Sequence, residues 1–155
     1  MGTVLAAWSE RGLCAILLGD DAAALQADLE HRFRGIELIA APGDSRVAQV
    51  VAFLEEPDGR LELPLDPRGT EFQHRVWEAL RHVPAGETIS YSDLAAQLGL
   101  PSAVRAVAAA CGANPLAVVI PCHRVIGRNG KLTGYRWGVD RKAALLARES
   151  CVLPL

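Results

Sequence analysis

The sequence predicts an α/β chain of the α+β kind, in which a small sheet with helices precedes a mostly helical lobe. Three observations predict it. Apolar runs at 4–8 and 13–18 flank Ser9-Glu10-Arg11-Gly12, which is a hairpin signal. Later stretches repeat apolar residues at three- and four-residue spacing behind capping residues, the pattern of amphipathic helices. Two short helices in the second half are separated by a turn containing Gly99, the arrangement of a helix-turn-helix and also of ordinary helical hairpins.

In chain order, Asp20-Asp21 caps a helix with Leu25, Leu29 and Phe33 on one face, ended by Gly35. Residues 36–40 read as a further strand and 46–54 as a short helix carrying Val47, Val50, Val51 and Leu54. Residues 61–65 alternate as an edge strand, where Pro64 is tolerated. Asp66-Pro67-Arg68-Gly69 marks a boundary, so 1–66 is expected to be an α/β scaffold lobe and 67–155 a second lobe that carries the chemistry. Thr70-x-x-Gln73 is a capping box, opening a helix that buries Phe72, Val76, Trp77 and Leu80. Pro84-Ala85-Gly86 turns the chain. Ser90 caps the next helix, with Leu94 and Leu98, and Ser102 caps the one after it, 103–112. Asn114-Pro115 breaks that helix and leads into a buried strand, 116–120, that delivers Cys122. Gly127-Arg128-Asn129-Gly130 is a turn, and 140–149 a final helix burying Leu145 and Leu146, with Glu149 near its end.

Half the residues are apolar and 22% are charged, which suits a globular chain and not a disordered one. The longest apolar runs are strand-sized, so no membrane span is expected. The first residues lack a basic segment followed by a long apolar one, so no signal peptide is expected, and the chain is placed in the cytoplasm. The cysteines (Cys14, Cys111, Cys122, Cys151) form no Cys-x-x-Cys pair and the histidines show no metal-ligand spacing. Free thiols are therefore expected, and no metal. The net charge of −2 conceals an asymmetry: residues 1–80 hold 7 Lys+Arg against 14 Asp+Glu, whereas residues 81–155 hold 9 against 4. The basic second half suits phosphate contacts, although solvated surface charge gives the same count.

The chemistry concentrates at Ile120-Pro121-Cys122-His123-Arg124-Val125. A thiol is a nucleophile only as thiolate, and an imidazole oriented by a third group can remove its proton. Consecutive side chains diverge in extended backbone, so Cys122 and His123 need a turn or a bridging water to cooperate. Otherwise Cys122 is a buried structural cysteine. The helix from 103 adds a second clue. Its one long polar side chain is Arg105, whereas a helix that reads bases in the major groove presents several. Small residues such as Ala106 and Ala109 let a helix approach DNA closely, and Arg105 is placed to fill the gap left by an extruded nucleotide. The alternative is that the alanines pack on the core and Arg105 is solvated. In Gly134-Tyr135-Arg136-Trp137-Gly138 the two aromatics suit either the wall of a flat-ring pocket or core packing.

Together, Thr88-Ile89-Ser90-Tyr91, Arg105-Ala106-Val107, Asn114-Pro115, the segment around Cys122 and Gly134-Tyr135-Arg136-Trp137-Gly138 with Arg141-Lys142 closely resemble the O6-alkylguanine-DNA alkyltransferases. The resemblance covers essentially the whole chain. Ser9-Glu10-Arg11-Gly12 and Leu17-Leu18-Gly19-Asp20-Asp21 are most like the two-part adaptive-response members. The zinc-bearing half of those proteins, which repairs phosphotriesters and activates transcription, has no counterpart in these residues, so neither activity is carried over.

The resemblance implies a ribonuclease-H-like first lobe with a small antiparallel sheet. It implies a second lobe whose helix-turn-helix binds the minor groove of double-stranded DNA containing O6-alkylguanine. Cys122 would be the alkyl acceptor, His123 its base through a water, Glu149 the orienter of the imidazole and Asn114 the residue that holds the active-site turn. Tyr91 would donate a hydrogen bond to the flipped guanine, and backbone groups of Cys122 and Val125 would read its edge. Tyr135 would line the pocket, with Arg136 and Trp137 beside it and Lys142 supporting the loop. Arg105 would replace the extruded base, while Ser90, Ser102, Ala106, Ala109 and Arg128 would meet the DNA. The implied reaction is an irreversible, single-turnover transfer of the alkyl group to Cys122 by a monomer, without cofactor; O4-alkylthymine is a further candidate substrate. Many relatives carry small residues at Arg136-Trp137, so bulky Trp137 is expected to narrow the pocket toward methyl groups.

Three other classes make different demands. Alkyltransferase-like lesion sensors lack the acceptor cysteine, which is present here. A helix-turn-helix regulator needs base-reading side chains that the Ala-rich helix does not have. A Cys–His hydrolase turns over an acyl substrate, whereas the transferase modifies itself once.

Overall fold

The computed structural model describes residues 2–56 and 61–151, apart from the side chain of Cys151. Strands β1 (Thr3–Ser9) and β2 (Gly12–Gly19) pair antiparallel, Thr3 opposite Gly19 and Ser9 opposite Gly12. Residues 12–18 of β2 are all buried, because both faces and both edges are covered. One edge meets β1; the other makes single bridges, Leu13 to Leu65 and Ile16 to Leu116. The second bridge ties the central strand to the segment that delivers Cys122. Gly12 has φ +149, and a side chain there would strike the Pro64 carbonyl, so glycine is what lets 64–66 lie against the strand.

Helices α1 (Ala22–Arg32) and α2 (Ser45–Glu55) are capped by the carboxylates of Asp21 and Asp44, which accept from Ala23 N and Arg46 N. They cover the hairpin with Leu25, Leu29, Val50 and Leu54. Helix α3 (Glu71–Leu80) opens on the complete Thr70/Gln73 capping box and buries Val76, Trp77 and Leu80. Helices α4 (Tyr91–Gln97) and α5 (Val104–Gly112) form the helix-turn-helix, with Ser90 Oγ accepting from Asp93 N. Trp77 Nε1 donates to Ala110 O at 2.9 Å and so fixes α3 against α5. A short parallel pair, β3 (Ile89–Ser90) and β4 (Val125–Ile126), and helix α6 (Val139–Cys151) complete the chain. A single core runs from β2 through α3 and α5 to Leu145 of α6. The α+β class expected from the sequence is what forms.

Four local expectations are corrected. Residues 36–40 are not a strand: among the described residues no strand pairs with them, and Ile39 is 81% exposed. Strand propensity without a pairing edge does not make a strand. Residues 61–65 contribute only the bridge at Leu65, because Pro64 has no N–H to continue a ladder. Residues 116–120 are a bridge and a tight turn rather than a strand. Ser102 does not cap α5; the N-cap is Ala103, with no side-chain bond, since Pro101-Ser102 forms the preceding turn. Among the described residues, no helix is long and apolar enough to cross a membrane.

Candidate active site

The segment that carries Cys122 owes its shape to backbone turns. Ile16 N donates to Pro115 O and Ala117 N to Ile16 O, which pins the start of the loop to β2. Val118 then takes φ +68, and Val119 N donates to Ala117 O at 2.8 Å across it. A second three-residue turn follows at Pro121 (φ −81, ψ 61), with Cys122 N donating to Ile120 O. Cys122–Arg124 is one turn of 3₁₀ helix. Neighbouring side chains there stand about 120° apart, closer than the opposite directions they take in a strand.

Asn114 knits this loop together. Its Oδ1 accepts from Leu116 N at 2.9 Å, and its Nδ2 donates both to Ile120 O at 2.8 Å and to Cys122 Sγ at 3.2 Å. Cys122 is only 4% exposed. Burial pushes its thiol up to about 11, against the opposing pull of the Asn114 N–H and the Lys142 charge. The resting side chain is therefore a thiol.

Behind it lies a buried relay. His123 Nε2 is 2.6 Å from Glu149 Oε1, while His123 Nδ1 has no hydrogen-bond partner among the described protein atoms. Burial lowers the His123 pKa, with Glu149 pulling the other way. Burial alone would raise Glu149, but hydrogen bonds from His123 and Arg124 hold its carboxyl at about 2. Arg124 grips that carboxylate through Nε (3.1 and 3.0 Å) and Nη2 (2.7 Å), and its Nη1 donates to Val83 O. Helix α6 also supplies Lys142, whose buried Nζ donates to Thr133 O and Gly134 O at 3.3 and 3.1 Å. Its pKa is lowered by burial.

Cys122 opens into a cavity of about 430 Å³ lined by Tyr91, Val104, Arg105, Ala108, Cys111, Gly112, Thr133, Gly134, Tyr135 and Arg136, a size typical of small-molecule sites. Tyr91 Oη donates to Thr133 O at 3.2 Å, and burial, then the Cys111 and Cys122 thiols, push its pKa up to about 12. It stays a donor at neutral pH. The Tyr135 hydroxyl is buried with no partner among the described residues. Arg136 at the rim donates to Gly112 O and pairs with Asp28 of α1 at 3.3 Å.

Cys122, Tyr91, Tyr135, Arg105 and Arg136 thus share one cavity, with His123, Glu149, Asn114 and Lys142 supporting it from behind. Trp137 is placed differently: it is buried edge-on against Tyr135, at 5.3 Å between ring centroids, and is not among the residues lining the cavity. The residue beside it, Arg136, takes the rim. Val125 is buried in β4, its N–H donating to Cys122 O. On α5, Arg105, Ala106, Ala108, Ala109 and Gly112 are exposed, one long side chain among small ones. Ser102 and Arg128 are exposed and Ser90 is half-buried. Cys14, Cys111 and Cys122 are free thiols; the Cys151 side chain lies outside the described residues.

Sequence reasoning missed Arg124 and Cys111. Arg124 gave no signal, since an arginine beside a Cys-His pair looks solvated until its carboxylate is known. Cys111 did give one: Val104, Ala108 and Cys111 stand at helical spacing on one face of α5.

A family model described as the DNA-binding domain of 6-O-methylguanine DNA methyltransferase matches residues 71–151. The chain belongs to the 6-O-methylguanine DNA methyltransferase family. Over 154 residues it is 55% identical to the bifunctional transcriptional activator/DNA repair enzyme Ada of Escherichia coli, covering 97% of this chain and 43% of that protein. It is 54% identical over 103 residues to a methylated-DNA–protein-cysteine methyltransferase of Mycolicibacterium paratuberculosis, covering 66% of this chain and 62% of the relative. The chain therefore spans about half the length of the curated relatives it matches. Among solved structures it superposes on Mycobacterium tuberculosis OGT in complex with DNA with a TM-score of 0.79 and 37% identity, over 96% of this chain and 86% of that one. The O6-methylguanine-DNA methyltransferase of Pyrococcus kodakaraensis gives a TM-score of 0.69 at 26% identity, covering 94% and 97%.

Proposed function

We propose that the protein repairs double-stranded DNA by direct reversal, moving the alkyl group of O6-alkylguanine onto its own Cys122 once per molecule. The observation that carries this reading is that Cys122 and Arg105 line the same cavity, an acceptor thiol beside the one long side chain of a small-residue helix face. That face is suited to close approach in the minor groove, with Ser90, Ser102, Ala106, Ala109 and Arg128 around it. Arg105 takes the place of the extruded base, and the flipped guanine enters between Tyr91 and Tyr135.

A thiol held near 11 is a poor nucleophile by itself, so its proton must leave as the bond forms. His123 Nδ1 receives it through a bridging water, and Glu149 steadies the imidazolium. The Sγ–carbon bond forms as the carbon–O6 bond breaks, and the electron pair passes into the guanine. Tyr91 turns from the Thr133 carbonyl to donate to the base and offset that charge. Backbone groups of Cys122 and Val125 read the purine edge. The displacement involves no redox change and no activated donor, so it calls for no cofactor. The thioether has no hydrolysis route, which makes the reaction self-inactivating.

Every residue given a role lies after residue 66, so residues 1–66 are the scaffold and 67–155 the reacting lobe. One acceptor per chain suffices, and the protein works as a monomer in the cytoplasm, where it meets DNA. Relatives named for methylated-DNA–protein-cysteine methyltransfer support the reading, as does a structural relative solved with DNA. Intact mass after mixing with duplex DNA containing O6-methylguanine tests it. One added methyl per protein on Cys122, absent in Cys122→Ala, is expected; tight lesion binding without a mass change would make the protein a sensor.

A further inference from the structure

Resting on that reading, we infer that Val118 is a positioning residue for the reaction: its strained turn holds Cys122 in the one loop conformation from which the thiol reacts. Val118 is the only non-glycine residue with positive φ among those described, at +68, and β-branched side chains avoid that region. The bond from Val119 N to Ala117 O makes it the centre of the positive-φ γ-turn, the rare and strained form. Such conformations persist where the surroundings over-determine them. Here three constraints do so. Ala117 is fixed to Ile16 of β2 on one side of the turn, and Ile120 O is fixed by Asn114 Nδ2 on the other. Val118 is itself 1% exposed and packed in the core cluster, and with Val119, Pro121, Phe53 and Leu63 it borders a second cavity.

The consequence falls on the sulfur. Reversal of the chain at Val118 is what brings Ile120 O and Cys122 Sγ onto the same Asn114 amide. A glycine would accept this φ without strain but would also accept many others. The buried isopropyl group therefore restricts the loop to one basin, although it is the side chain least suited to the turn.

Val118→Ala and Val118→Gly separate positioning from mere packing. At an ordinary buried site glycine is less stable than alanine, because it loses more chain entropy. At positive φ the order reverses, so Val118→Gly should be at least as stable to urea as Val118→Ala. Single-turnover methyl transfer should run the opposite way, wild type faster than Ala and Ala about 10-fold faster than Gly, with affinity for undamaged duplex unchanged. Haloacetamide labelling of Cys122, located by peptide mass, should be fastest in the Gly variant, at least 5-fold above wild type, as the thiol loses its fixed place. Transfer rates that follow stability, or a Gly variant within twofold of wild type in both assays, would overturn the inference. The labelling assay needs no DNA, so a wild-type protein that fails to transfer methyl while its labelling still follows this order would sink the alkyl-acceptor reading alone.

Discussion

His123 Nε2 lies 2.6 Å from Glu149 Oε1 with both side chains buried, and this contact decides which ring nitrogen is free to act. A carboxylate only accepts, so Nε2 carries the proton. Burial keeps the imidazole neutral, which leaves a lone pair on Nδ1, the nitrogen without a protein partner among the described residues. Arg124 holds both carboxylate oxygens, Oε1 from Nη2 and Oε2 from Nε, and prevents the group from swinging away. On the proposed reading, the base for Cys122 is thus set by Glu149, 25 residues further along the chain than Arg124.

Glu149→Gln keeps an acceptor oxygen for Nε2–H but removes the charge that favours the imidazolium. General-base assistance is worth about 10²-fold or more, so single-turnover methyl transfer should fall by about 10² while DNA affinity holds. The pH profile gives a second check. On the proposed mechanism transfer needs neutral His123, whose pKa is lowered by burial against the pull of Glu149. The wild-type rate should therefore rise on a limb below pH 6.5 and then level. Without the Glu149 charge that limb moves to still lower pH; movement upward would remove His123 as the base.

Acid stability follows from the same pair. Glu149 is held at about 2, below its ordinary 4.5. A depressed carboxyl contributes stability that is present above pH 4.5 and lost as pH falls toward 2. The difference corresponds to about 3 kcal/mol. His123 acts in a higher window: its folded pKa is below the unfolded value, so protonation favours unfolding as pH drops below 6.5. Urea midpoints should decline from pH 7 to pH 3, and the loss below pH 4.5 should be smaller in Glu149→Gln, where Asp44, also held at about 2 by Arg46, still contributes. A wild-type midpoint that is flat across this range would be incompatible with the buried relay.

The helices and the hairpin were legible in the sequence because local signals decide them: Asp21, Thr70 and Ser90 cap where their side chains suggest. What failed was non-local. Residues 36–40 have strand composition but pair with no strand among the described residues, and residues 116–120 are apolar because they are buried, not because they are extended. In the site, Cys122, His123, Asn114 and Glu149 were legible through motif and resemblance. Arg124 was not, since its partner is distant in sequence, nor was the placement of Trp137, since a one-residue change of direction at Arg136 decides which of the two reaches the cavity.

Asn114 offers a test of the loop that leaves the relay intact. Asn114→Asp retains Oδ1 for Leu116 N but sets a carboxylate oxygen against Ile120 O and Cys122 Sγ, where Nδ2 donated. Negative charge beside the sulfur disfavours thiolate, so transfer should fall by at least about 10². Asn114→Ala leaves Leu116 N without its partner, at about 1–3 kcal/mol for a buried group, while Ile120 O keeps only the bond from Cys122 N. Urea denaturation and single-turnover kinetics on both variants check this; an Asp variant as fast as wild type would exclude Asn114 from the acceptor site.

The exposed face of α5 predicts how the protein meets DNA. Ala109 is exposed and touches no core, so Ala109→Leu should leave stability within about 0.5 kcal/mol of wild type. If the helix backbone lies close against the duplex, the added side chain holds it away, and affinity for duplex DNA should drop at least about 10-fold. Arg105→Ala separates two roles for the arginine. A phosphate contact, once lost, weakens binding to all duplexes and lowers the salt slope by about 1. A residue that occupies the gap left by a flipped base does neither; its loss slows methyl transfer while the slope for undamaged DNA stays the same. Anisotropy titrations at several salt concentrations, beside single-turnover transfer, distinguish the two. A lowered slope with an unchanged transfer rate would assign Arg105 to the phosphates and leave base extrusion to other residues.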